Sequence, residues 1–325
     1  MKRNKVIFIL SFLTIIIISS LNLRNSPHLS AQKNPDDDWA MWRHDPEGTG
    51  CSKDEVKPPL EKIWEYKTGD IIASSPAISG DYLYIGSGDK KIYCLDKKTG
   101  EKKWDYETGG PVDSSPALSG DFLIVLGVEY KEEVIDSFSF IYGIGKVHCL
   151  NKNTGKKVWE YETGSWASSS LVISDDYVYI ESGDGEVYCL NKNTGEKVWE
   201  YKTDGWVWTH SSPTISDNYL YIGTSEEYSG EWADHLISYI SKVYCLNKKT
   251  GEKVWWSKIS ECKTYYQGCF IHSSPTISED YLYIGSDDKK AYCLNKLTGK
   301  KVWEYETGNK IYSSPAISDN YHYKG

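Results

Sequence analysis

The chain has 325 residues, of which 39% are hydrophobic and 14% aromatic, and these values exclude a disordered or collagen-like chain. A formal net charge of -9 argues against a nucleic-acid partner, which would require a basic surface. Because 26 Tyr and 13 Trp supply most of the aromatic residues, and both types favour half-buried strand surfaces, the composition predicts an all-β fold.

Residues 1–31 have the features of a leader. The basic start MKRNK precedes an apolar run from Val6 to Leu21. This pattern is typical of a secretory signal peptide, although cleavage after Ala31 would place Leu29 where a small residue is preferred. An N-terminal membrane-anchoring helix is therefore an open alternative. Both alternatives predict an extracytoplasmic chain that is secreted, periplasmic or at the cell surface.

Residues 32–59, here called the pre-propeller segment, lead into a repeated sequence that spans residues 60–325. The motif Cys-Leu-(Asp/Asn)-x-x-Thr-Gly-x-x-x-Trp occurs at Cys94–Trp104, Cys149–Trp159, Cys189–Trp199, Cys245–Trp255 and Cys293–Trp303. An isolated Trp64 ends a partial copy. The repeating unit is about 40 residues long, a period typical of propeller blades.

Each unit contains four predicted strands, A to D, separated by turn residues. In the first unit the predicted strands are Ile71–Ile78, Tyr82–Gly86, Lys91–Leu95 and Glu101–Tyr106. Pro76 in strand A is compatible with an edge position only. Four-stranded units repeated in this way predict a β-propeller.

The repeated motif resembles the tryptophan-docking motif of the quinoprotein dehydrogenase-like, or PQQ-like, propellers. That family usually has Ala and Asp where this chain has Cys and Asn, with Asp96 as the exception. The segment Asp38–Gly50 is similar to the start of small secreted, BamB-like members. The resemblance implies structural contacts between a Trp of one blade and the Thr-Gly turn of the next, made by Trp64, Trp104, Trp159, Trp199, Trp255 and Trp303 and by Gly100, Gly155, Gly195, Gly251 and Gly299.

Six blade starts are marked by paired serines that begin at Ser74, Ser114, Ser169, Ser211, Ser273 and Ser313. The sixth blade reaches Tyr323 without a strand C. Two readings are open. Either the ring closes with an incomplete sixth blade that a strand D at Leu60–Thr68 completes, or the sequence is a truncated form of a seven- or eight-bladed ring.

Five of the eight cysteines recur at one position of strand C and are predicted to be small buried side chains. Packed sheets stand about 10 Å apart, which exceeds the reach of a disulfide. Cys262 and Cys269 differ, because both fall in a predicted D–A loop where a local bridge is sterically feasible. We expect a disulfide between them, with Cys51 unpaired.

Two functional classes follow from the resemblance. Quinoprotein alcohol dehydrogenases carry a vicinal Cys-Cys ring and acidic and amide calcium ligands, but no Cys-Cys pair occurs here. No catalytic residue or metal ligand is assigned, and pyrroloquinoline quinone with calcium is expected only if the chain is an oxidoreductase. The BamB-like lipoproteins, which help to assemble outer-membrane barrels, instead favour a non-catalytic protein-binding or scaffolding module. An envelope structural protein is a third possibility.

Strand order places the D–A and B–C loops on one face of the ring. The large departures from the repeat lie there, including predicted B–C loops at Glu129–Tyr142 and Ser225–Tyr239. Variable loops on a rigid scaffold commonly carry binding sites, so this face is expected to bind a protein or glycan partner. The candidate binding residues are Asp113, His210, His272 and Tyr312 at the channel mouth and Trp166, Trp206, Trp208 and Trp232 in the loops. An alternative role for His210 and His272 is that they only satisfy local backbone groups.

Overall fold

The computed structural model describes residues 7–8, 39–50, 59–135, 138–167, 169–204, 206–207, 211–229, 237–264 and 270–317. Regular structure in these ranges consists of 23 strands, most of which form successive antiparallel sheets. The predicted all-β propeller is therefore confirmed. In this part of the chain, no helix is both long and apolar enough to cross a membrane.

Five blades follow one another along the chain. The first contains β2 (Ala77–Ser79), β3 (Tyr82–Ser87), β4 (Lys91–Asp96) and β5 (Lys102–Glu107). The second contains β6 (Ala117–Ser119), β7 (Phe122–Ile135), β8 (Phe138–Asn151) and β9 (Lys157–Glu162). The third contains β10 (Val172–Ser174), β11 (Tyr177–Glu181), β12 (Glu186–Asn191) and β13 (Lys197–Lys202).

The fourth blade has a fifth strand. It contains β14 (Trp206–Val207), β15 (Thr214–Ser216), β16 (Tyr219–Ser229), β17 (Ile237–Asn247) and β18 (Lys253–Thr264). The fifth blade contains β19 (Thr276–Ser278), β20 (Tyr281–Gly285), β21 (Lys290–Asn295) and β22 (Lys301–Glu306). A sixth strand A follows as β23 (Pro315–Ala316).

Strand A is shorter than predicted: β2 begins at Ala77, not at Ile71. The preceding serines bind backbone groups through their hydroxyls, and Pro76 has no N–H to donate. In the first blade the Ser74 hydroxyl donates to the Gly86 carbonyl at 2.9 Å and accepts from the Gly86 N–H at 3.0 Å. A side chain therefore holds strand A to strand B at this point, where ladder pairing was predicted.

The second serine of each pair joins neighbouring blades. The N–H of Ser75 donates to the hydroxyl of Ser115 at 2.9 Å. The same bond is repeated from blade to blade through Ser115, Ser170, Ser212, Ser274 and Ser314. These buried or partly buried bonds explain why the paired serine recurs, and they place six strands A in sequence around one centre.

Five of the six predicted docking Trp side chains contact the following blade among the described residues. The indole Nε1 of Trp104 donates to the Lys152 carbonyl at 3.1 Å, and its ring lies against Gly155. The same contacts occur in the pairs Trp64–Gly100, Trp159–Gly195, Trp199–Gly251 and Trp255–Gly299. Trp303 is 37% exposed.

Residues 60–68 form no strand, so the strand D predicted there is wrong. Trp64 still contacts the first blade through its ring and its indole N–H, which bonds the Lys97 carbonyl at 3.0 Å. A Trp can make this contact from an irregular backbone, because the contact needs only a side chain and a carbonyl.

Residues 39–50 of the pre-propeller segment run across the strands A at one end of the ring. Their carbonyls accept hydrogen bonds from equivalent strand A residues of different blades. Trp39 bonds Ile78 of the first blade at 2.7 Å, and Thr49 bonds Ile317 beside β23 at 3.3 Å. Between them the bonded pairs are Ala40–Leu118, Pro46–Ile215 and Glu47–Ile277. Residues 39–50 therefore lie at the end of the ring that carries the A–B turns.

The buried Arg43 stabilises this segment internally. Its Nε donates to the Gly48 carbonyl at 2.7 Å, and Asp45 accepts from the Thr49 N–H at 2.8 Å. Burial lowers the pKa of the Arg43 guanidinium to about 10. Residues 43–49 thus form a folded loop that is held by its own side chains.

The two predicted B–C loops are mostly strands. In the second blade β7 and β8 pair continuously from Phe122↔Asn151 to Ile135↔Phe138. In the fourth blade β16 and β17 pair from Tyr219↔Asn247 to Ser229↔Ile237. The insertions lengthen the hairpins, because their backbones continue the antiparallel pairing of the flanking strands.

The predicted leader lies outside the described residues except for Ile7–Phe8. These two residues form β1, an extended pair at a point where an anchoring helix was predicted. β1 pairs antiparallel with β23, with Ile7 opposite Ala316. The pairing gives backbone partners to one edge of β23, which favours the extended conformation.

Candidate functional site

The D–A and B–C loops surround the channel end opposite the pre-propeller segment. We call this end the mouth face. Four aromatic rings from three blades line up there: Tyr239 lies 5.1 Å from Phe270, which lies 5.9 Å from His272, which lies 5.2 Å from Tyr312. Tyr312 is 59% exposed. Packed aromatic rings of this kind, with the last one exposed, can anchor a binding partner.

A buried carboxylate lies beside the aromatic row. Asp287 is 2% exposed at its side chain, and its Oδ2 lies 3.2 Å from Lys310 Nζ and 3.7 Å from His272 Nε2. Its backbone N–H bonds the Phe270 carbonyl at 2.9 Å. The carboxylate therefore orients groups from two successive D–A loops.

Trp166 belongs to a second aromatic patch, between the second and third blades. A Cβ added to Gly143 would lie 3.5 Å from Trp166 Cβ and 3.7 Å from Tyr130 Cε1, so both side chains lie against that glycine. On the other side, a Cβ at Gly183 would lie 3.3 Å from Trp166 Cε2. The Tyr130 side chain is 62% exposed.

Of the other predicted binding residues, the structure describes only Asp113 and the backbone of Trp206. Asp113 is exposed, directly after the buried Val112. The backbone of Trp206 lies in β14, opposite Glu227. His210, Trp208 and Trp232 lie outside the described residues. The structure thus brings His272 and Tyr312 together and puts Trp166 in a separate patch.

The fourth blade holds a buried charged cluster that the sequence analysis missed. Lys242 Nζ lies 2.5 Å from Glu226 Oε2 and 2.8 Å from Asp204 Oδ2. Tyr244 donates to Glu226 at 2.5 Å. The sequence shows part of this arrangement, because a Tyr precedes the strand C cysteine in both the first and the fourth blade. In the first blade that residue, Tyr93, donates to Asp89 of the B–C turn at 2.6 Å.

Two buried titratable groups depart from the repeat. Glu181 stands where the first, fourth and fifth blades have Gly86, Gly223 and Gly285. Within the described part of the chain, its carboxylate oxygens have no hydrogen-bond partner. Burial, with repulsion from Glu226, raises the pKa of Glu181 well above its usual value. His148 replaces the strand C Tyr, and burial lowers its pKa to about 4.

The repeated cysteines are free and buried. Cys149 faces Trp159 across β8 and β9, and burial raises the pKa of its thiol to about 12. Cys262 is disulfide-bonded and lies in β18, where a loop was predicted. Cys269 lies outside the described residues, so the predicted pairing remains a prediction.

The buried carboxylates do not fit a calcium ion of a quinone site. Glu226 is held by the Lys242 ammonium and the Tyr244 hydroxyl. Burial raises the pKa of Glu181 well above its usual value, which disfavours the charged form that binds calcium. Calcium needs several oxygen ligands that are not already engaged. Among the described residues, no group of three or more His, Cys, Asp or Glu side chains has the geometry to hold a metal ion.

Solved structures share the fold at low identity. The chain is 15% identical to a europium-containing methanol dehydrogenase, with a TM-score of 0.65 over 87% of this chain and 62% of that one. It is 15% identical to the quinohemoprotein alcohol dehydrogenase of Comamonas testosteroni, with a TM-score of 0.64 over 89% of this chain and 53% of that one. The chain thus spans less than two thirds of either dehydrogenase, and these likenesses show the propeller fold alone.

BamB from Moraxella catarrhalis is 22% identical, with a TM-score of 0.47 over 78% of this chain and 82% of that one. No curated protein matches the chain. A family model described as outer membrane protein assembly factor BamB matches residues 33–137, 134–234 and 240–323. Because that model matches most of the sequence, the chain belongs to this family of PQQ-like repeat propellers.

Proposed function

We propose that the protein is an extracytoplasmic protein-binding module that engages its partner at the mouth face. The aromatic row from Tyr239 to Tyr312 is the observation that carries this proposal. Membership of a family described as an outer membrane assembly factor supports a protein as the partner. The leader predicted for residues 1–31 is the basis for the location outside the cytoplasm.

The aromatic row has the properties of an interface anchor. Tyr312 offers an exposed ring, and it packs on His272, which Asp287 approaches from below the surface. Aromatic side chains lose little conformational freedom when they bind, so rings fixed in advance favour affinity. The second patch, at Trp166 and Tyr130, extends the same face towards the second blade.

The test compares two exposed apolar residues at opposite ends of the ring. Immobilised wild type, Tyr312→Ala and Leu297→Ala are incubated with an envelope extract of the source organism. Leu297 is 51% exposed in a C–D turn, so its variant is the matched control. A specific partner should be retained by wild type and by Leu297→Ala, and lost by Tyr312→Ala. Loss with Leu297→Ala alone would show that the opposite face binds.

A further inference from the structure

The outer half of the β7–β8 hairpin has an open edge. β9 pairs with β8 only from Lys146 to Leu150, whereas β8 begins at Phe138. Among the described residues, no strand pairs with Phe138–Ile144 on the side away from β7. The chain continues from β9 alongside Gly145 as far as Ser165 and then enters the third blade.

The fourth blade covers the equivalent edge with its own chain. Counted from the strand C cysteines, Ile141 and Gly143 of β8 correspond to Ile237 and Tyr239 of β17. In β17 those positions pair with Thr264 and Cys262 of the lengthened β18. The other strand of that hairpin, β16, is covered by β14. The two lengthened hairpins therefore differ at this edge. In the fourth blade β18 extends along β17, whereas in the second blade β9 ends before it reaches the outer half of β8.

Hydrogen bonds at Gly145 fix which backbone groups face outward. Its N–H donates to the Ser165 carbonyl at 2.7 Å, and its carbonyl accepts from the Thr163 N–H at 2.8 Å. Because backbone direction alternates along a strand, Gly143, Ile141 and Ser139 direct their N–H and carbonyl groups to the same side. An extended backbone is the partner that satisfies such an alternating row.

We propose that an extended segment of a partner protein adds to β8 as an antiparallel strand along residues 139–143. It would occupy the place that β18 occupies in the fourth blade. The sequence FSFIY at residues 138–142 is apolar or aromatic apart from Ser139, and an unpaired edge of this composition favours strand addition. This inference rests on the proposed function, because it names the chemistry of the partner segment at the mouth face.

The probe is a fluorescein-labelled peptide with the sequence of residues 257–264 and Ser in place of Cys262. It carries the strand that covers the equivalent edge in the fourth blade. The fluorescence anisotropy of the peptide should rise to a plateau as protein is added. Hydrogen exchange at the backbone amides of Ile141 and Gly143 should slow by about tenfold or more when the peptide binds. Peptides N-methylated at alternate amides of one edge should lose binding, whereas methylation of the other edge should leave binding unchanged.

Protein variants provide a second readout. Ile141→Pro removes one outward N–H and should weaken binding by about tenfold, whereas Ile141→Val should bind as wild type does. Absence of saturable binding, or binding that both N-methylated series retain, would overturn the proposal. Protection of Ile141 and Gly143 that rises with protein concentration and without peptide would assign the edge to a second copy. If the peptide fails while Tyr312→Ala still loses its partner, the proposed function stands without this edge.

Discussion

The ring of Trp104 lies so close to Gly155 that a Cβ added to the glycine would stand 2.8 Å from Cδ2 of the indole. Gly155 also has a φ of 69°, which favours glycine. Gly155→Ala should therefore lower the free energy of unfolding by about 2–4 kcal/mol, through backbone strain and overpacking together. Urea unfolding measures the change.

Gly120→Ala separates these two causes. Gly120 has a φ of 58°, but an added Cβ would meet no atom within 4 Å. This variant should lose only the backbone component, about 1–2 kcal/mol. Equal losses for both variants would mean that the Trp104 contact contributes nothing to stability.

Trp159→Ala should lower the free energy of unfolding by about 3–5 kcal/mol, as large-to-small changes of buried aromatic residues do. Trp159 is 8% exposed and Trp303 is 37% exposed, although both occupy the same position of strand D. Trp303→Ala should thus cost less than half as much in thermal or urea unfolding. A reversed order would contradict the assignment of the Trp contacts as the main link between blades.

Lys242→Met should destabilise the protein by about 3–5 kcal/mol, because it leaves the Glu226 carboxylate buried without its ammonium partner. The double variant Lys242→Met with Glu226→Gln should recover much of this loss. Lys91 holds the same strand position at 37% side-chain exposure, so Lys91→Met should cost less than about 1 kcal/mol. Similar losses at both lysines would show that burial of the ion pair has no special effect.

Glu181 should make the stability depend on pH. Its folded pKa is raised above the ordinary 4.5 by burial, so below pH 4.5 both states are protonated and there is no penalty. As the pH rises above 4.5 the unfolded chain ionises while the folded protein keeps its proton. Stability then falls by up to about 1.4 kcal/mol per pH unit until the folded pKa is reached.

Glu181→Gln should remove this dependence. Its advantage over wild type in urea unfolding should grow from pH 5 to pH 8. Glu196→Gln, an exposed change in the same blade, serves as the control and should show no such trend. A constant difference for Glu181→Gln across this range would show that the carboxylate is charged in the folded protein.

The blade architecture is predictable from the sequence because the same motif of strand and turn residues recurs in each blade. Each copy of the motif brings a Cys opposite a Trp, as in Cys94↔Trp104, and places a glycine in the turn that the preceding Trp contacts. Strands B, C and D of the first blade lie within one residue of their predicted ends. Strand A was predicted too long because the hydrogen bonds of Ser74 cannot be read from residue periodicity.

The candidate site is predictable only in part. His272 and Tyr312 hold the same position before the paired serines of successive blades, which is why their proximity follows from the repeat. Phe270 also has aromatic equivalents, because Trp166 and Trp208 stand three residues before the paired serines as it does, whereas Tyr239 stands where the other blades have Gly or Asp. Lys242 has the same residue type as the exposed Lys91, and its burial arises from the lengthened strands around it. Such effects depend on tertiary packing, which a local pattern does not contain.

The path of the pre-propeller segment has a consequence for folding. Its bonds join residues far apart in the chain: the Thr276 hydroxyl donates to the Gly48 carbonyl across 228 residues. Closing so long a loop is slow compared with pairing adjacent strands within a blade. The amides of Ile277 and Ile317 should therefore gain protection from hydrogen exchange later than the amides inside each blade. A segment synthesised before every blade thus completes its hydrogen bonds last.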